Sequence, residues 1–73
     1  MNVYFSRHAK RRMKERKILQ EEIFQVLKYP DQVTPSIKDR VNYIKKMENT
    51  YLKVACKDEG EIRIIITVMG RNV

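Results

Sequence analysis

The sequence has one cysteine, one histidine and no tryptophan, and only two glycines and two prolines. The single cysteine, Cys56, excludes an internal disulfide, which is typical of a reducing compartment, so we expect a cytoplasmic protein. One histidine and one cysteine far apart in the chain are too few ligands for a structural zinc site. We therefore expect no metal, and at 73 residues the chain has no room for a separate cofactor domain, so we expect no cofactor.

Long apolar runs are also missing. No run approaches the roughly 20 residues of a membrane-spanning helix, and the charged segment that follows the first five residues does not resemble a signal peptide. Without repeats or a linker, residues 1–73 are predicted to form a single domain. A domain of this size buries only roughly 60% of the surface of its unfolded chain. Any site is therefore expected on the surface or in a shallow groove.

Acidic residues are scarce in one segment. The formal net charge is +7, and between Arg7 and Lys17 seven basic residues stand against one acidic residue, which leaves the rest of the chain at +1. Such a local positive field indicates a polyanionic partner or, alternatively, a solvated helix face that serves solubility. A membrane-binding helix needs a broad apolar face, and this segment offers only Ala9 and Met13, so we expect no membrane partner.

The first thirty residues predict a strand and two helices. Residues Val3 to Phe5 read as a short strand, and Ser6 is a suitable N-cap for a helix from about Arg7 to Arg16. A second helix is predicted from about Gln20 to Lys28. It ends before Pro30, because the residue that precedes a proline avoids helical geometry.

After residue 30 the hydrophobic period changes from that of a helix to that of a strand. Four segments, "DQVTPSI", "RVNYIKKM", "YLKVACK" and "EIRIIITVM", predict an antiparallel meander of about four strands. The proline in the first segment places it at an edge of the sheet. In the third segment Leu52, Val54 and Cys56 point to one face. In the last segment, strict alternation assigns one face to Ile62, Ile64, Ile66 and Val68. The predicted fold is α+β, with both helices on one face of the sheet.

The segment "SRHAKRRMKERKI" fits the pattern S-x-H-A-x-x-R-M-x-x-R-x-I and resembles domain-of-unknown-function family 4258. The similarity continues through "VLKYPDQV", "YLKVACK" and "IRIIITV", so it covers nearly the whole chain. One departure is Leu19, which stands where that family usually has a serine or threonine helix cap. The order of elements resembles that of the RelE-like and BrnT-like toxins of bacterial toxin–antitoxin pairs, which are metal-independent ribonucleases. This resemblance implies a RelE-like fold, an mRNA substrate, free or ribosome-bound, and an acidic antitoxin as partner.

Three residues of this segment suit the cleavage of RNA. His8, Arg12 and Arg16 are spaced four apart, so they form one stripe of the first helix. Attack by the ribose 2′-hydroxyl needs a base, an acid and positive charge beside the phosphorus. Histidine titrates near neutrality, and the arginine fork matches phosphate oxygens. We therefore predict these three as the catalytic residues of a metal-independent endoribonuclease.

Further basic residues are candidates for RNA binding: Arg7, Lys10, Arg11, Lys14, Lys17, Lys53 and Arg63. With one histidine, the second proton carrier stays open. Tyr43 and Tyr51 are candidates for it, or for stacking on bases, if their face of the sheet meets the helix stripe. Structural alternatives are a hydrogen-bonding role for the histidine, ion pairs for the arginines and strand packing for the tyrosines. The alternative function is a non-catalytic basic RNA- or partner-binding module of the same fold.

Overall fold

The computed structural model describes residues 2–48 and 50–72. Along the chain these form β1 (Asn2–Phe5), α1 (Arg7–Arg16), α2 (Gln20–Lys28), β2 (Gln32–Pro35), β3 (Val41–Lys46), β4 (Thr50–Glu59) and β5 (Ile62–Asn72). The predicted α+β class is confirmed. Both helices begin and end at the predicted residues, because their caps and their apolar period are local signals that the sequence carries directly.

The strands form one sheet in the order β1-β5-β4-β3-β2. The predicted antiparallel meander runs from β2 to β5. β1 pairs with β5 in parallel, and its register places Phe5 beside Ile65. β2 lies at the opposite edge, as predicted from Pro35, which has no backbone N–H to donate to a neighbouring strand.

A single serine begins α1 and attaches it to the sheet. The Ser6 hydroxyl accepts a hydrogen bond from the Ala9 N–H at 3.1 Å. It also donates one to the Ile66 carbonyl of β5 at 3.0 Å. The helix ends where Lys17 adopts a left-handed conformation with φ 57°. The start of α1 is therefore fixed relative to β5, which decides where its side chains lie.

The start of α2 lacks a side-chain cap, as expected from Leu19. The Glu22 carboxylate compensates in part, because it accepts a hydrogen bond from the Leu19 N–H at 2.9 Å. Glu21 and Glu22 also lie in the first turn, where the positive end of the helix dipole favours negative charge.

Both helices pack on one face of the sheet, with α1 over β5 and α2 over β4 and β3. The core between the layers contains the buried side chains of Phe5, Ala9, Met13, Ile18, Ile23, Val26, Leu52, Val54, Cys56, Ile65 and Val68. The prediction that three alternate residues of β4 point to one face is confirmed, since all three belong to this core. The opposite face of the sheet carries no helix in the described part of the chain.

The prediction that residues of β5 alternate strictly between the two faces is wrong, because the strand contains a β-bulge. Cys56 pairs with Ile65, but its neighbour Ala55 pairs with Thr67, so Ile66 is an extra residue in the ladder. A bulge changes which face the following side chains point to. As a result Ile65 is 0% exposed and belongs to the core, whereas Ile62 is 45% exposed.

Candidate nucleic-acid interface

The basic segment forms one exposed side of α1. Ala9 and Met13 are its buried residues and face the sheet. His8, Arg12 and Arg16 follow one another at four-residue spacing along the flank of this buried stripe. Arg12 is partly buried, whereas His8 and Arg16 are exposed. The helix therefore presents the predicted stripe at the border between core and solvent.

A cavity of about 250 Å³ lies between this flank and β5. Its lining consists of Arg12 and Arg16 from the helix and of residues 67–70 from the strand. Four consecutive strand residues point alternately to both faces, so the cavity must follow the edge of the strand. β1 covers that edge only as far as Ile65. Beyond this point no described strand pairs with this edge of β5.

The cavity is electrostatically one-sided. Among the residues whose side chains are described, its lining contains two guanidinium groups and no carboxylate. Within residues 2–48 and 50–70, the ion pairs join Lys57 to Glu59 and Arg63 to Asp58. Neither Arg12 nor Arg16 is therefore neutralised by a carboxylate of the described chain. The ion pair considered as a structural role for Arg12 is not formed there.

Arg63 has a different environment. Its Nε donates to Asp58 Oδ1 at 2.8 Å and its Nη2 donates to Asp58 Oδ2 at 3.1 Å. Its Cζ atom also lies 5.0 Å from the centre of the Tyr43 ring. The hydrogen bond from Arg63 lowers the pKa of the Asp58 carboxyl. Arg63 and Tyr43 thus form a structural cluster, apart from the stripe on α1, and we leave both out of the candidate site.

Tyr51 and Lys53 lie on the other face of the sheet. They alternate along β4 with the buried Leu52 and Val54, so they point away from the helices. The condition for Tyr43 or Tyr51 to serve as the second proton carrier was that its face meets the helix stripe. Tyr51 does not meet this condition, because the sheet separates it from α1.

The face of the sheet opposite the helices, the open face, has a cavity of about 170 Å³. Its lining includes Arg40, which was not predicted from the sequence. Arg40 and Lys53 are its basic lining residues, and Ala55, only 8% exposed, also lines it. Arg40 follows a tight turn in which Lys38 and Asp39 both have positive φ, a geometry that returns the chain directly onto the sheet. The sequence signal was the break between two strands at "KD", but nothing local indicated which face Arg40 would join.

The remaining basic residues of α1 and its C-cap are all exposed: Arg7, Lys10, Arg11, Lys14 and Lys17. By helical geometry Arg11 points away from the buried stripe and so away from the cavity. His8 forms no hydrogen bond with any described residue. The structural role considered for it, a hydrogen bond to the sheet, is thus not formed in the described chain.

Cys56 carries the single thiol of the sequence. It is 2% exposed, and burial raises the pKa of its thiol to about 11. A thiol with such a pKa is protonated and unreactive at neutral pH, in agreement with a purely packing role. Among the described residues, no three His, Cys, Asp or Glu side chains lie close enough together to hold a metal ion. None of the described helices is long and apolar enough to cross a membrane.

The fold and site together define a small two-layer α+β domain with a basic groove at an uncovered strand edge. The sequence model of the family described as "Domain of unknown function (DUF4258)" matches residues 5–70. The chain therefore belongs to this family. No curated protein and no solved structure gave a significant match.

Proposed function

We propose that this protein is an RNA-binding protein of the toxin type, and that the cavity between α1 and β5 holds the RNA backbone. The observation that carries the proposal is the pair of guanidinium groups, Arg12 and Arg16, in a cavity whose described lining residues include no carboxylate. Arginine forks bind phosphate oxygens through two parallel hydrogen bonds. An anion that enters this cavity therefore gains interactions that no group of the described chain already satisfies.

The other exposed cations of α1 add a positive field around this cavity without lining it. Phosphate contacts supply the sequence-independent part of RNA affinity, and a local positive field speeds the approach of a polyanion. The same field suits an acidic protein partner, which in a toxin-type protein is the antitoxin. Bound over α1, such a partner competes with RNA for the same guanidinium groups.

Endoribonuclease activity is the second candidate, and the placement of His8 favours it. His8 is exposed, forms no hydrogen bond with the described residues, and precedes Arg12 by one helical turn. As a neutral imidazole it accepts the proton of a ribose 2′-hydroxyl. The 2′-oxygen then bonds to phosphorus, and the bond to the 5′-oxygen of the next nucleotide breaks. Arg12 stabilises the negative charge on the phosphorane, and water supplies the proton for the leaving oxygen.

RNA binding is tested by fluorescence anisotropy with a labelled single-stranded RNA at low and physiological salt. We expect Arg12→Ala to weaken binding several-fold and to lower the slope of log affinity against log salt by about 0.7, the value for one lost phosphate contact. Arg11→Ala is the matched control, because it removes the same charge from the opposite side of the same helix. Equal losses in both variants contradict a specific groove and indicate a diffuse positive field.

Cleavage is tested in bacteria, because a ribosome-dependent nuclease is inactive on free RNA. The wild type and His8→Ala are induced to equal levels, and growth and RNA 5′ ends are followed. Growth arrest with new RNA ends in the wild type alone supports the endoribonuclease. Growth arrest by both proteins removes His8 from the mechanism, and growth without new RNA ends in both supports the non-catalytic RNA-binding module.

A further inference from the structure

We infer that the binding surface continues from the α1 cavity over the edge of β5 onto the open face of the sheet, and that its ligand is single-stranded RNA. This inference rests on the proposed function and names its substrate class. It extends the candidate site from the helix that carries the charge cluster to the face of the sheet behind it.

The two cavities are neighbours with a common wall. Thr67 and Met69 line both the cavity beside α1 and the cavity on the open face. Both residues alternate along β5 with the buried Val68, so their side chains point to the open face. A chain that leaves the arginines of α1 therefore crosses these two side chains and arrives directly at the second cavity.

The charges along this path are of one sign. The first cavity contributes Arg12 and Arg16 and the second contributes Arg40 and Lys53, and the described residues of both linings include no aspartate or glutamate. A series of cations on both sides of a strand edge matches a ligand that carries a negative charge at every unit of its backbone. RNA has this property, and its phosphates can meet the four cations in succession.

The shape of the path favours a single strand. It turns from the flank of a helix, over a strand edge, onto the opposite face of a sheet, and a stiff duplex cannot follow that turn. The open face also offers surfaces for unpaired bases. Tyr51, which is 44% exposed, lies two residues from Lys53 on the same face, and Met69 is 55% exposed. Aromatic rings on a basic sheet face stack on bases of single strands, which a duplex keeps paired.

The experiment is fluorescence anisotropy with labelled oligouridylates of about 4 and about 12 nucleotides, which span the site sizes of small single-strand-binding domains. An RNA duplex of the longer length and a labelled polyglutamate peptide are measured beside them. The variants are Arg12→Ala in the first cavity, and Lys53→Ala and Tyr51→Ala on the open face. Lys57→Ala is the matched control, because Lys57 lies on the open face of β4 but lines neither cavity.

We expect the wild type to bind the longer oligouridylate more tightly than the duplex or the peptide. Lys53→Ala should weaken binding of the longer RNA several-fold and lower its salt slope by about 0.7. Tyr51→Ala should weaken the same RNA about fivefold or more, the effect of losing one stacked base. Neither variant should change the affinity for the shortest RNA as much, because that ligand can be held by the first cavity alone. Lys57→Ala should behave as the wild type.

Other outcomes separate this inference from the function on which it rests. If Arg12→Ala weakens binding of the longer RNA but Lys53→Ala and Tyr51→Ala do not, the path over β5 is overturned and the groove on α1 remains. Equal affinity for duplex and single strand also overturns the path. If the peptide binds and only its affinity depends on Lys53, the open face docks an acidic protein instead. If the wild type binds no RNA at low salt, both the inference and the proposed function fail.

Discussion

Arg12, beside β5, and Arg63, within β5, are both partly buried arginines, yet their surroundings are opposite. Arg63 is held by Asp58 through two hydrogen bonds and lies against the ring of Tyr43. Arg12 lines a cavity to which the described part of the chain contributes no carboxylate. A count of basic residues treats the two alike, and from the sequence Arg12 was predicted to be catalytic and Arg63 to bind RNA. Whether the charge of an arginine can bind a ligand therefore depends on whether the folded chain already pairs that arginine with a carboxylate.

The reason lies in solvation. A partly buried guanidinium loses water and needs other groups to replace it, and Asp58 and Tyr43 together replace it for Arg63. An incoming phosphate would have to displace a carboxylate that is already well placed. At Arg12 no carboxylate of the described residues has to be displaced. The free energy that an anion gains is therefore concentrated at the edge of β5 beyond the bulge.

The largest effect on RNA affinity is expected for the double variant Arg12→Ala/Arg16→Ala, which removes both guanidinium groups of the cavity that no described carboxylate pairs. RNA affinity should fall at least tenfold, and the salt slope should decrease by about 1.4, since two contacts of about 0.7 each are lost. The free energy of unfolding should change by less than about 0.5 kcal/mol, because no described ion pair is broken. Anisotropy over a range of salt and urea denaturation give the two quantities. A large loss of stability with unchanged affinity would reverse the roles assigned to the two arginines.

Ser6→Ala is expected to have the next largest effect, because Ser6 fixes α1 to β5. The variant loses the cap of the helix and the hydrogen bond to Ile66, at a cost of about 1–2 kcal/mol in the free energy of unfolding. Urea denaturation measures the cost. Ser6→Thr is the control, since it keeps a hydroxyl at the cap and should restore most of the stability. Similar losses in both variants would show that the hydroxyl is not what holds the helix.

Arg63→Ala tests whether the arginine that is paired with Asp58 contributes to stability and not to RNA binding. We expect a loss of up to about 1 kcal/mol, because the Asp58 side chain is 47% exposed and solvent screens the pair. RNA affinity should stay within twofold of the wild type. A double-mutant cycle with Asp58→Asn isolates the energy of the pair, and anisotropy measures the affinity. A drop in affinity comparable to that of Arg12→Ala would bring Arg63 back into the binding surface.

The smallest effect on stability is expected when the pH is lowered. Arg63 lowers the pKa of Asp58 in the folded protein below its ordinary value of 3.8. The pair therefore contributes stability above the unfolded pKa, and this contribution disappears as the pH falls through the folded value. Urea denaturation of the wild type and Asp58→Asn at neutral pH and well below pH 3.8 should show their difference shrinking by a fraction of a kcal/mol. A difference that is constant with pH would mean that the pair is not formed in solution.

Much of the fold could be predicted because its signals are local. The N-cap at Ser6, the edge proline at Pro35 and the alternation around Val54 each depend on a few neighbouring residues. The β-bulge at Ile66 could not be predicted, because an extra residue in a ladder leaves no mark in a run of β-branched residues. The parallel pairing of β1 with β5 joins the two ends of the domain, and no local pattern encodes it.

The stripe on the first helix was predicted as a unit, whereas Lys53 and Tyr51 on the open face were predicted only as single residues. The spacing of His8, Arg12 and Arg16 fixed their common stripe in advance, since a helix determines its own faces. The division of the other candidates between the two faces of the sheet depends on pairing across strands. Arg63 was proposed as an RNA contact because its partner, Asp58, is a neighbour only after the hairpin forms. Arg40 was missed for the same reason.

The part of β5 that β1 leaves uncovered also affects the protein at high concentration. An unpaired strand edge offers its N–H and C=O groups to a strand of any other molecule, and this is a common route to aggregation. Arg12 and Arg16 stand beside that edge in every copy, so two such edges that approach each other bring like charges together. The side chains proposed to hold RNA thus also keep the protein dispersed. Salt screens this repulsion, so the protein should be most soluble at low ionic strength.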